Sequence, residues 1–596
     1  MQEVQKLVRL PIFLGLLSSL VIASLLAGQP AATADNPPRK ILTGWIPYYS
    51  MKTALPAALN NIDLVDEVMP FWYTLKYDGK IKKAVITDLY APANPSIPIA
   101  QPLAAMRAAG LKIIPTITDG TAKLVLAKML ANPTQRAQVV DAIATMVRVN
   151  NYDGVDLDFE GFAFVDGNTT WTSTAPHWVA LVKELSAVLR AEKKLLSVST
   201  PYVLDPKAAQ KGYYVYAWAD IAPFIDRLRI MTYDYSVARV GPIGPISWTE
   251  RTLQYAVTIM PASKVFVGVP GYGRDWVTAV SGVCPANVAN TVKAGAKAAT
   301  FVMRDAAALA ATYGATPMYD EKFGEVTFTY QKVYNGNTAS GLSTSCTATR
   351  TAWYQDARSW ALRAALVSKY RIGGITSWTF GMEEPMAMES IRQIAKQVAP
   401  DQVNVTASTV ANAVNYTEPF TISATFAKKD KSPLSNVPVR LEARGTNETT
   451  WRTLATVTTS QDGSVTRSVI LGKSAVVRFV SDPTWERNAG ISPEFSITVN
   501  RTISIAPPAS AKSGSAIQLT GSLRPRTAAS EISVERNVAG TWKRIDSTSV
   551  PIVTDSLGNF TVTIPAQPRG VLTLRVSAVD PLWPLVSTEP FSIIIR

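Results

Sequence analysis

The chain has 596 residues, which at about 150 residues per domain predicts three or four domains with room for a large core. His177 is the only histidine, so a Ser-His-Asp triad, a Cys-His pair or a zinc site with several histidines would all depend on that one residue. The formal charge of +14 is spread along the chain and not clustered with aromatic residues, which argues against nucleic-acid binding and favours an anionic cell-wall surface as a partner.

The N-terminal segment has the pattern of a secretory signal peptide. Lys6 and Arg9 precede an apolar run from residue 10 to about residue 26, and an Ala-x-Ala motif follows at 32–34. We therefore predict a signal peptide at 1–34, secretion to an extracellular or cell-wall location, and no membrane association after cleavage. Because the apolar run is close to the length of a membrane span, an uncleaved N-terminal anchor is the alternative.

The next 360 or so residues alternate short apolar runs with helical patterns, which is typical of repeated βαβ units. The predicted strands are 41–49, 64–73, 112–118, 154–159, 195–200, 228–233, 265–269 and 374–378. Helical periodicity between them is clear at 135–150 and 178–192. Eight strands with intervening helices predict a (β/α)8 TIM barrel over residues 38–400.

The longest insertion in this barrel, about 275–350, lies between the seventh and eighth strands and is predicted to form a small α+β insertion domain. It contains Cys284 and Cys346, which are the only cysteines of the chain. Two cysteines in an oxidising compartment usually pair, so we predict a disulfide, with two buried free thiols as the alternative. We predict no metal and no cofactor.

The composition changes after Pro400, where short runs of Val, Ile, Thr and Ser alternate with turn residues. This pattern predicts two all-β immunoglobulin-like sandwiches at 402–500 and 501–596. They are predicted to be a tandem repeat, because the Asp-Pro-Thr-Trp sequence at 482–485 recurs as Asp-Pro-Leu-Trp at 580–583. We expect a spacer role for both, and wall binding or adhesion is the alternative.

The fourth predicted strand carries three acids at alternate positions. Asp156, Asp158 and Glu160 point to the same side because side chains of a strand alternate between its two faces. At a Cα spacing of roughly 6 to 7 Å their titrations couple, so that one acid can stay protonated near neutral pH, as a general acid must. Burial of three carboxylates without a function would be costly, and a calcium loop would need glycine and irregular backbone. The pattern therefore predicts a catalytic site made of carboxylates.

Further motifs stand at the ends of the later strands. They are Met231-Thr232-Tyr233-Asp234 on the sixth strand, Gly268-Val269-Pro270-Gly271-Tyr272-Gly273-Arg274 on the seventh, and Gly373-Gly374-Ile375-Thr376-Ser377-Trp378 on the eighth. Together with Asp153-x-x-Asp156-x-Asp158-x-Glu160, and in this order, they resemble the motifs of glycoside hydrolase family 18, the chitinase family. The resemblance covers about residues 40–398 and says nothing about the last 200.

The resemblance implies a role for each acid. Glu160 would protonate the glycosidic oxygen, while the substrate's own acetamide attacks the anomeric carbon, so that no protein carboxylate acts as nucleophile. Asp158 would orient the acetamide N–H and stabilise the developing positive charge, and Asp156 would share a proton or hydrogen bond with Asp158. Tyr233 would hydrogen-bond the acetamide oxygen.

Other residues are predicted to bind the substrate. They are Trp378, Met231, Asp234, Tyr272, Arg274, Asp153, Tyr49 and Trp72. Trp378 is expected to lie beneath the sugar ring, and Tyr272 and Arg274 stand at a strand's carboxyl end, where barrel enzymes place their sites. For Tyr49 and Trp72, ordinary barrel packing is the alternative.

The predicted function is that of a secreted retaining glycoside hydrolase that cleaves β-1,4-linked N-acetylglucosamine polymers, chitin or chitooligosaccharides, by substrate-assisted catalysis. Residues 233–276 resemble the family branch with spore and cell-wall peptidoglycan hydrolases, so a peptidoglycan N-acetylglucosaminidase is the alternative. A non-catalytic chitinase-like lectin or wall-adhesion protein is a second alternative, although such lectins usually lose the acid that corresponds to Glu160.

Overall fold

The computed structural model describes residues 36–545, 550–581 and 583–596, so the predicted signal peptide at 1–34 lies outside the described residues. The described chain forms two compact units, Pro37–Ala399 and Pro400–Arg596. Within these described ranges, no helix has the length and apolar character needed to cross a membrane.

Eight parallel strands close into a barrel within Pro37–Ala399, all of which the structure describes. They are β1 Leu42–Pro47, β2 Val65–Asp78, β3 Thr116–Asp119, β4 Gly154–Asp158, β5 Leu195–Pro201, β6 Arg227–Met231, β7 Val265–Pro270 and β8 Gly374–Trp378. Each strand pairs with the next one in the chain, and β8 pairs with β1 to close the ring. The predicted TIM barrel is confirmed.

Two strands differ from the prediction by more than two residues at one end. The predicted strand at 112–118 is divided into Lys112–Ile113 and β3, with Pro115 between the two parts, because proline has no N–H to donate to a neighbouring strand. β2 is longer than predicted, since it runs on to Asp78 and pairs in antiparallel fashion with an additional strand, Lys83–Asp88.

Helices cover the outside of the barrel. They are Met51–Leu59, Tyr90–Ala93, Ala100–Ala108, Val125–Ala131, Pro133–Val149, Gly161–Phe164, Trp171–Ala191, Trp218–Ile221, Ile246–Ile259, Ala357–Tyr370 and Pro385–Gln397, with 3-10 turns at Asn168–Thr170, Tyr214–Tyr216 and Ala262–Lys264. Pro133–Val149 begins with an N-cap, because the Asn132 side chain accepts hydrogen bonds from two backbone N–H groups of the first turn. The helix predicted at 178–192 begins earlier, at Trp171.

The insertion between β7 and β8 is a five-stranded antiparallel sheet with one helix, slightly wider than the predicted 275–350. Its strands are Tyr272–Gly282, Ala299–Val302, Met318–Asp320, Glu325–Asn337 and Ser343–Tyr354, with the helix Ala306–Thr312 and a 3-10 turn at Met303–Asp305. Cys284 and Cys346 form a disulfide in this insertion, with their Cα atoms 4.7 Å apart.

The second unit contains two all-β modules, each with two sheets around one apolar core. In the first module the sheets are Val403–Thr409, Pro419–Lys428 and Ser464–Ile470, and Ala413–Asn415, Pro438–Gly445, Arg452–Thr458, Ala475–Ser481, Gly490–Ile491 and Phe495–Asn500. In the second they are Thr502–Ile505, Ile517–Arg524 and Asn559–Ile564, and Ser510–Ala511, Glu531–Val538, Thr541–Arg544, Ile552–Val553, Gly570–Asp580, Trp583–Ser587 and Phe591–Ile595. Apart from the short strand Ile552–Val553, both modules have the same strand order, as expected of a repeat.

Candidate active site

The acids of β4 run toward the carboxyl end of the barrel. Asp156 and Asp158 are buried inside it, and Glu160 follows the end of the strand, where the short helix Gly161–Phe164 begins. The residues between the acids are also fully buried, as alternation requires of a strand between a barrel interior and a helical layer. The acids therefore form one line that leads to the mouth of the barrel.

Asp156 is held by hydroxyl groups from the neighbouring strands. Its carboxylate accepts hydrogen bonds from Ser197 (2.6 Å), Ser199 (2.9 Å to each oxygen) and Thr116 (2.9 Å). Hydroxyl donors thus contact both oxygens of Asp156, and the sharing of a proton or hydrogen bond between Asp156 and Asp158 stays a prediction.

The two outer acids have perturbed pKa values. Burial raises the pKa of Asp158 well above its usual range, and the neighbouring Glu160 and Asp156 carboxylates raise it further. Burial also raises the pKa of Glu160 to about 7, with a second contribution from the charge of Asp234. A carboxyl group with this pKa holds a proton near neutral pH and can donate it to a leaving group.

The motif that follows β6 places Tyr233 and Asp234 beside these acids. Asp234 adopts a left-handed backbone conformation (φ +59°), which Asp tolerates better than most residues. Its Oδ1 accepts hydrogen bonds from the Tyr272 hydroxyl and from Arg274, whose Nη2 is 2.6 Å away. Burial raises the pKa of Tyr233 well above its usual range, so its hydroxyl stays protonated and remains a donor.

These side chains line a single cavity of 430 Å³ at the carboxyl end of the barrel, where barrel enzymes place their sites. The lining residues are Trp45, Asp158, Glu160, Phe164, Pro201, Tyr202, Tyr213, Met231, Tyr233, Asp234, Val237, Tyr272 and Trp378. Edge contacts with Trp45 (5.5 Å between ring centroids) and Phe71 (5.1 Å) fix the ring of Trp378. Arg274 lines an adjoining cavity of 320 Å³ that shares Asp234, Tyr272 and Trp378 with the first.

Three residues predicted to bind substrate line neither of these two cavities. Asp153 precedes β4 and accepts a hydrogen bond from the Ile113 backbone N–H (2.8 Å), so it joins strands at the amino end of the barrel. Trp72 is fully buried and packs on Tyr90, whose helix lies outside the barrel. The predicted substrate contacts of these two residues are wrong. Tyr49 is 55% exposed and does not line the cavity.

The sequence analysis missed several residues that the fold brings to the cavity. Tyr202 directly follows the carboxyl end of β5, and this position was a usable signal. Phe164 ends the short helix after β4 and Tyr213 lies in the segment after β5, with their ring centroids 5.2 Å apart, and Val237 lies in the loop after β6. No local pattern predicts such contacts between loops.

The comparison with protein families identifies the family of this chain. The model of glycosyl hydrolases family 18 matches residues 49–383, which is more than half of the chain. The chain therefore belongs to glycosyl hydrolase family 18, as its motifs predict.

Individual relatives are distant and extend beyond the matched region. YdhD of Bacillus subtilis, a glycosylase named as sporulation-specific, is 25% identical over 275 residues, which are 46% of this chain and 57% of YdhD. A probable endochitinase of Caenorhabditis elegans is 26% identical over 286 residues, 43% of this chain and 41% of that protein. The chain thus spans less than two thirds of either relative. The crystal structure of a Chromobacterium violaceum chitinase covers 60% of this chain and 98% of its own at 23% identity, with a TM-score of 0.47.

Proposed function

We propose that this chain is a secreted retaining glycoside hydrolase that cleaves β-1,4-linked N-acetylglucosamine polymers, chitin or chitooligosaccharides, with the substrate's acetamide as nucleophile. The observation that carries the proposal is the convergence of Glu160, Asp158 and Tyr233 on one cavity that Trp378 also lines. A pyranose ring can place its apolar face on the tryptophan while its acetamide group reaches the acids.

Glu160 is the proton donor of the proposed reaction. Its pKa of about 7 leaves a large protonated fraction at neutral pH, and its position after the end of β4 places the carboxyl group at the mouth of the barrel. Transfer of this proton to the glycosidic oxygen breaks the bond to the leaving sugar. The resulting carboxylate then takes a proton from the water that opens the cyclic intermediate.

Asp158 and Tyr233 are suited to hold an acetamide group between them. Asp158 Oδ1 is buried without a hydrogen-bond partner among the described residues, so it can accept from an acetamide N–H. The protonated hydroxyl of Tyr233 can donate to the acetamide oxygen. A hydrogen bond from the acetamide N–H to Asp158 would stabilise the oxazolinium cation that forms when the acetamide oxygen attacks the anomeric carbon.

The remaining carboxylate of the cavity is poorly suited to act as nucleophile. Asp234 is ion-paired with Arg274 and accepts a hydrogen bond from Tyr272. These contacts draw negative charge away from its oxygens, which favours the acetamide as the attacking group.

Turnover of defined oligosaccharides tests the proposal. Chitohexaose should be cleaved, whereas cellohexaose and the fully deacetylated hexamer should be inert, because neither carries an acetamide. Glu160→Gln should abolish cleavage, and Glu321→Gln, in an exposed surface ion pair with Arg358, serves as the matched control. Comparable cleavage of cellohexaose would contradict the proposal.

Peptidoglycan is the second candidate substrate. It also contains N-acetylglucosamine, and the similarity to a glycosylase named as sporulation-specific favours it. Digestion of chitin and of purified peptidoglycan side by side, with products identified by mass spectrometry, separates the two. Release of muropeptide fragments with a new N-acetylglucosamine reducing end, and no chitin products, would assign the enzyme to peptidoglycan.

Secretion is part of the proposal and rests on the sequence of residues 1–34. An anionic cell-wall surface is the proposed site of retention, given the net charge of +14. N-terminal sequencing of the protein from the culture medium should find residue 35 first. Retention of the intact N-terminus in the membrane fraction would show an uncleaved anchor.

A further inference from the structure

A pair of buried charges crosses the barrel below the acids. β2 and β6 lie on opposite sides of the ring of strands, so a contact between their inward side chains spans the interior. Arg229 of β6 reaches Glu67 of β2, with Nη2 2.7 Å from Oε2, and the two side chains are 0% and 1% exposed. Arg227 binds the other oxygen of Glu67 at 2.6 Å.

This cluster carries one more positive charge than negative charge. Two arginines share one glutamate, and Arg229 Nη1 is buried without a hydrogen-bond partner in the part of the chain that the structure describes. The ring of Phe266 on β7 covers Arg229, with the guanidinium 4.9 Å from the ring centroid. Arg227 is partly exposed to solvent, whereas Arg229 is wholly buried, so a second carboxylate near Arg229 would help to stabilise its charge.

Asp156 is the next carboxylate after Glu67 to act on Arg229: burial lowers the pKa of Arg229, whereas the charges of Glu67 and then Asp156 raise it. Ser199 and Arg229 are direct partners in the parallel pairing of β5 and β6, so their side chains point to the same face. Ser199 donates to both oxygens of Asp156. Ser199 is thus hydrogen-bonded to the first acid of β4 and paired in register with Arg229, and Asp156 in turn helps to raise the pKa of Asp158.

We propose that Arg229 is a positioning residue for the hydrolytic reaction, whose buried positive charge, paired with Glu67, acts across Ser199 on Asp156 beneath Asp158. The inference rests on the proposed function, because it assigns Asp158 the task of stabilising a cation. Arg227 does not share this role. Its side chain is 22% exposed, and it lies one inward position farther from the acids along β6.

Loss of the Arg229 charge should move the acid limb of the pH dependence of kcat/KM to higher pH. A cation favours the ionised form of a nearby carboxyl group. Removal of Arg229 therefore raises the pH at which the acids of β4 first carry the negative charge that the reaction requires. At about 8 to 10 Å, two strands away, and at an effective dielectric constant of about 20, one unit charge shifts a titration by about one pH unit. At pH values below the acid limbs of both the wild type and the variant, kcat/KM of the variant should be about tenfold lower than that of the wild type. On the alkaline side the two should differ little.

The kinetic test compares three variants on chitohexaose. Arg229→Met should shift the acid limb upward, Arg229→Lys should restore it because lysine retains the charge, and Arg227→Met should leave it in place. A purely structural role predicts lower thermal stability for both methionine variants and no shift of the limb. Wild-type inactivity on chitohexaose would overturn the proposed substrate. If Arg229→Met is active and the acid limb of its kcat/KM lies at the same pH as in the wild type, the proposed role of Arg229 is wrong.

A second test needs no substrate. If Arg229 offsets Asp156, then Arg229→Met should lower the Tm of the full chain less in an Asp156→Asn background than in the wild type, because the charge that it compensates is already gone. The same cycle with Arg227→Met should show no such coupling. Equal losses of Tm for Arg229→Met in both backgrounds would contradict the proposal.

Discussion

Glu160→Gln should remove activity and at the same time stabilise the protein at alkaline pH. In the folded state the pKa of Glu160 rises from its usual 4.5 to about 7, chiefly through burial. Because ionisation of such a carboxyl group costs more in the folded state than in the unfolded state, the free energy of unfolding falls as pH rises from about 4.5 to about 7. At 1.36 kcal/mol per unit, this cost approaches about 3 kcal/mol above pH 7.

Glutamine keeps the shape of Glu160 and cannot ionise, so the variant avoids this cost. At pH 8 its free energy of unfolding should exceed that of the wild type by up to about 3 kcal/mol, and at pH 4 the two should be nearly equal. Loss of the transferable proton should lower kcat by on the order of 100-fold to 10,000-fold.

Denaturant unfolding at pH 4 and pH 8, together with turnover of chitohexaose, measures both effects. Glu321→Gln removes an exposed carboxylate from a surface ion pair, so it should change neither quantity much. The same stability difference between wild type and Glu160→Gln at both pH values would refute the assigned burial and pKa. Activity within about threefold of wild type would refute the role as general acid.

Three further predictions concern other parts of the site and the insertion. Asp234→Asn should move the alkaline limb of kcat/KM to lower pH, because the charge of Asp234 helps to raise the pKa of Glu160; an unmoved limb in the pH profile would show that this coupling is absent. Asp158→Asn should weaken competitive inhibition by a thiazoline analogue of the cyclic intermediate, since an amide offers no negative charge; an unchanged inhibition constant would count against its role. Thiol titration of the denatured, unreduced protein should find no reactive thiol at Cys284 or Cys346, and two thiols would show that the disulfide does not form.

The barrel could be predicted from sequence because its strands are buried on both faces and read as short apolar runs. The additional strand Lys83–Asp88 was missed because much of it is polar and partly exposed, so it lacks that pattern. The division before β3 depends on Pro115, which ends backbone pairing without interrupting the hydrophobic run.

Within the site, the sequence predicts what strand alternation determines and not what loops determine. The line of acids on β4 follows from spacing alone, and the same spacing places Asp153 off the line, three residues before Asp156. Trp72 failed as a prediction because an aromatic residue near a strand end can face the helices as readily as the cavity. The contact between Arg229 and Glu67 joins residues on opposite strands, so it becomes visible only once the ring is closed.

The most direct test of the central claim is a series of fluorogenic chitooligosaccharides that differ only in the acyl group on the sugar at the scissile bond. Replacing N-acetyl by N-fluoroacetyl, N-difluoroacetyl and N-trifluoroacetyl makes the carbonyl oxygen progressively less nucleophilic with little change in size. If the acetamide is the nucleophile that Asp158 and Tyr233 orient, kcat/KM falls steeply with each added fluorine. A flat series, with kcat/KM unchanged from acetyl to trifluoroacetyl, would show that a group of the protein attacks the sugar instead.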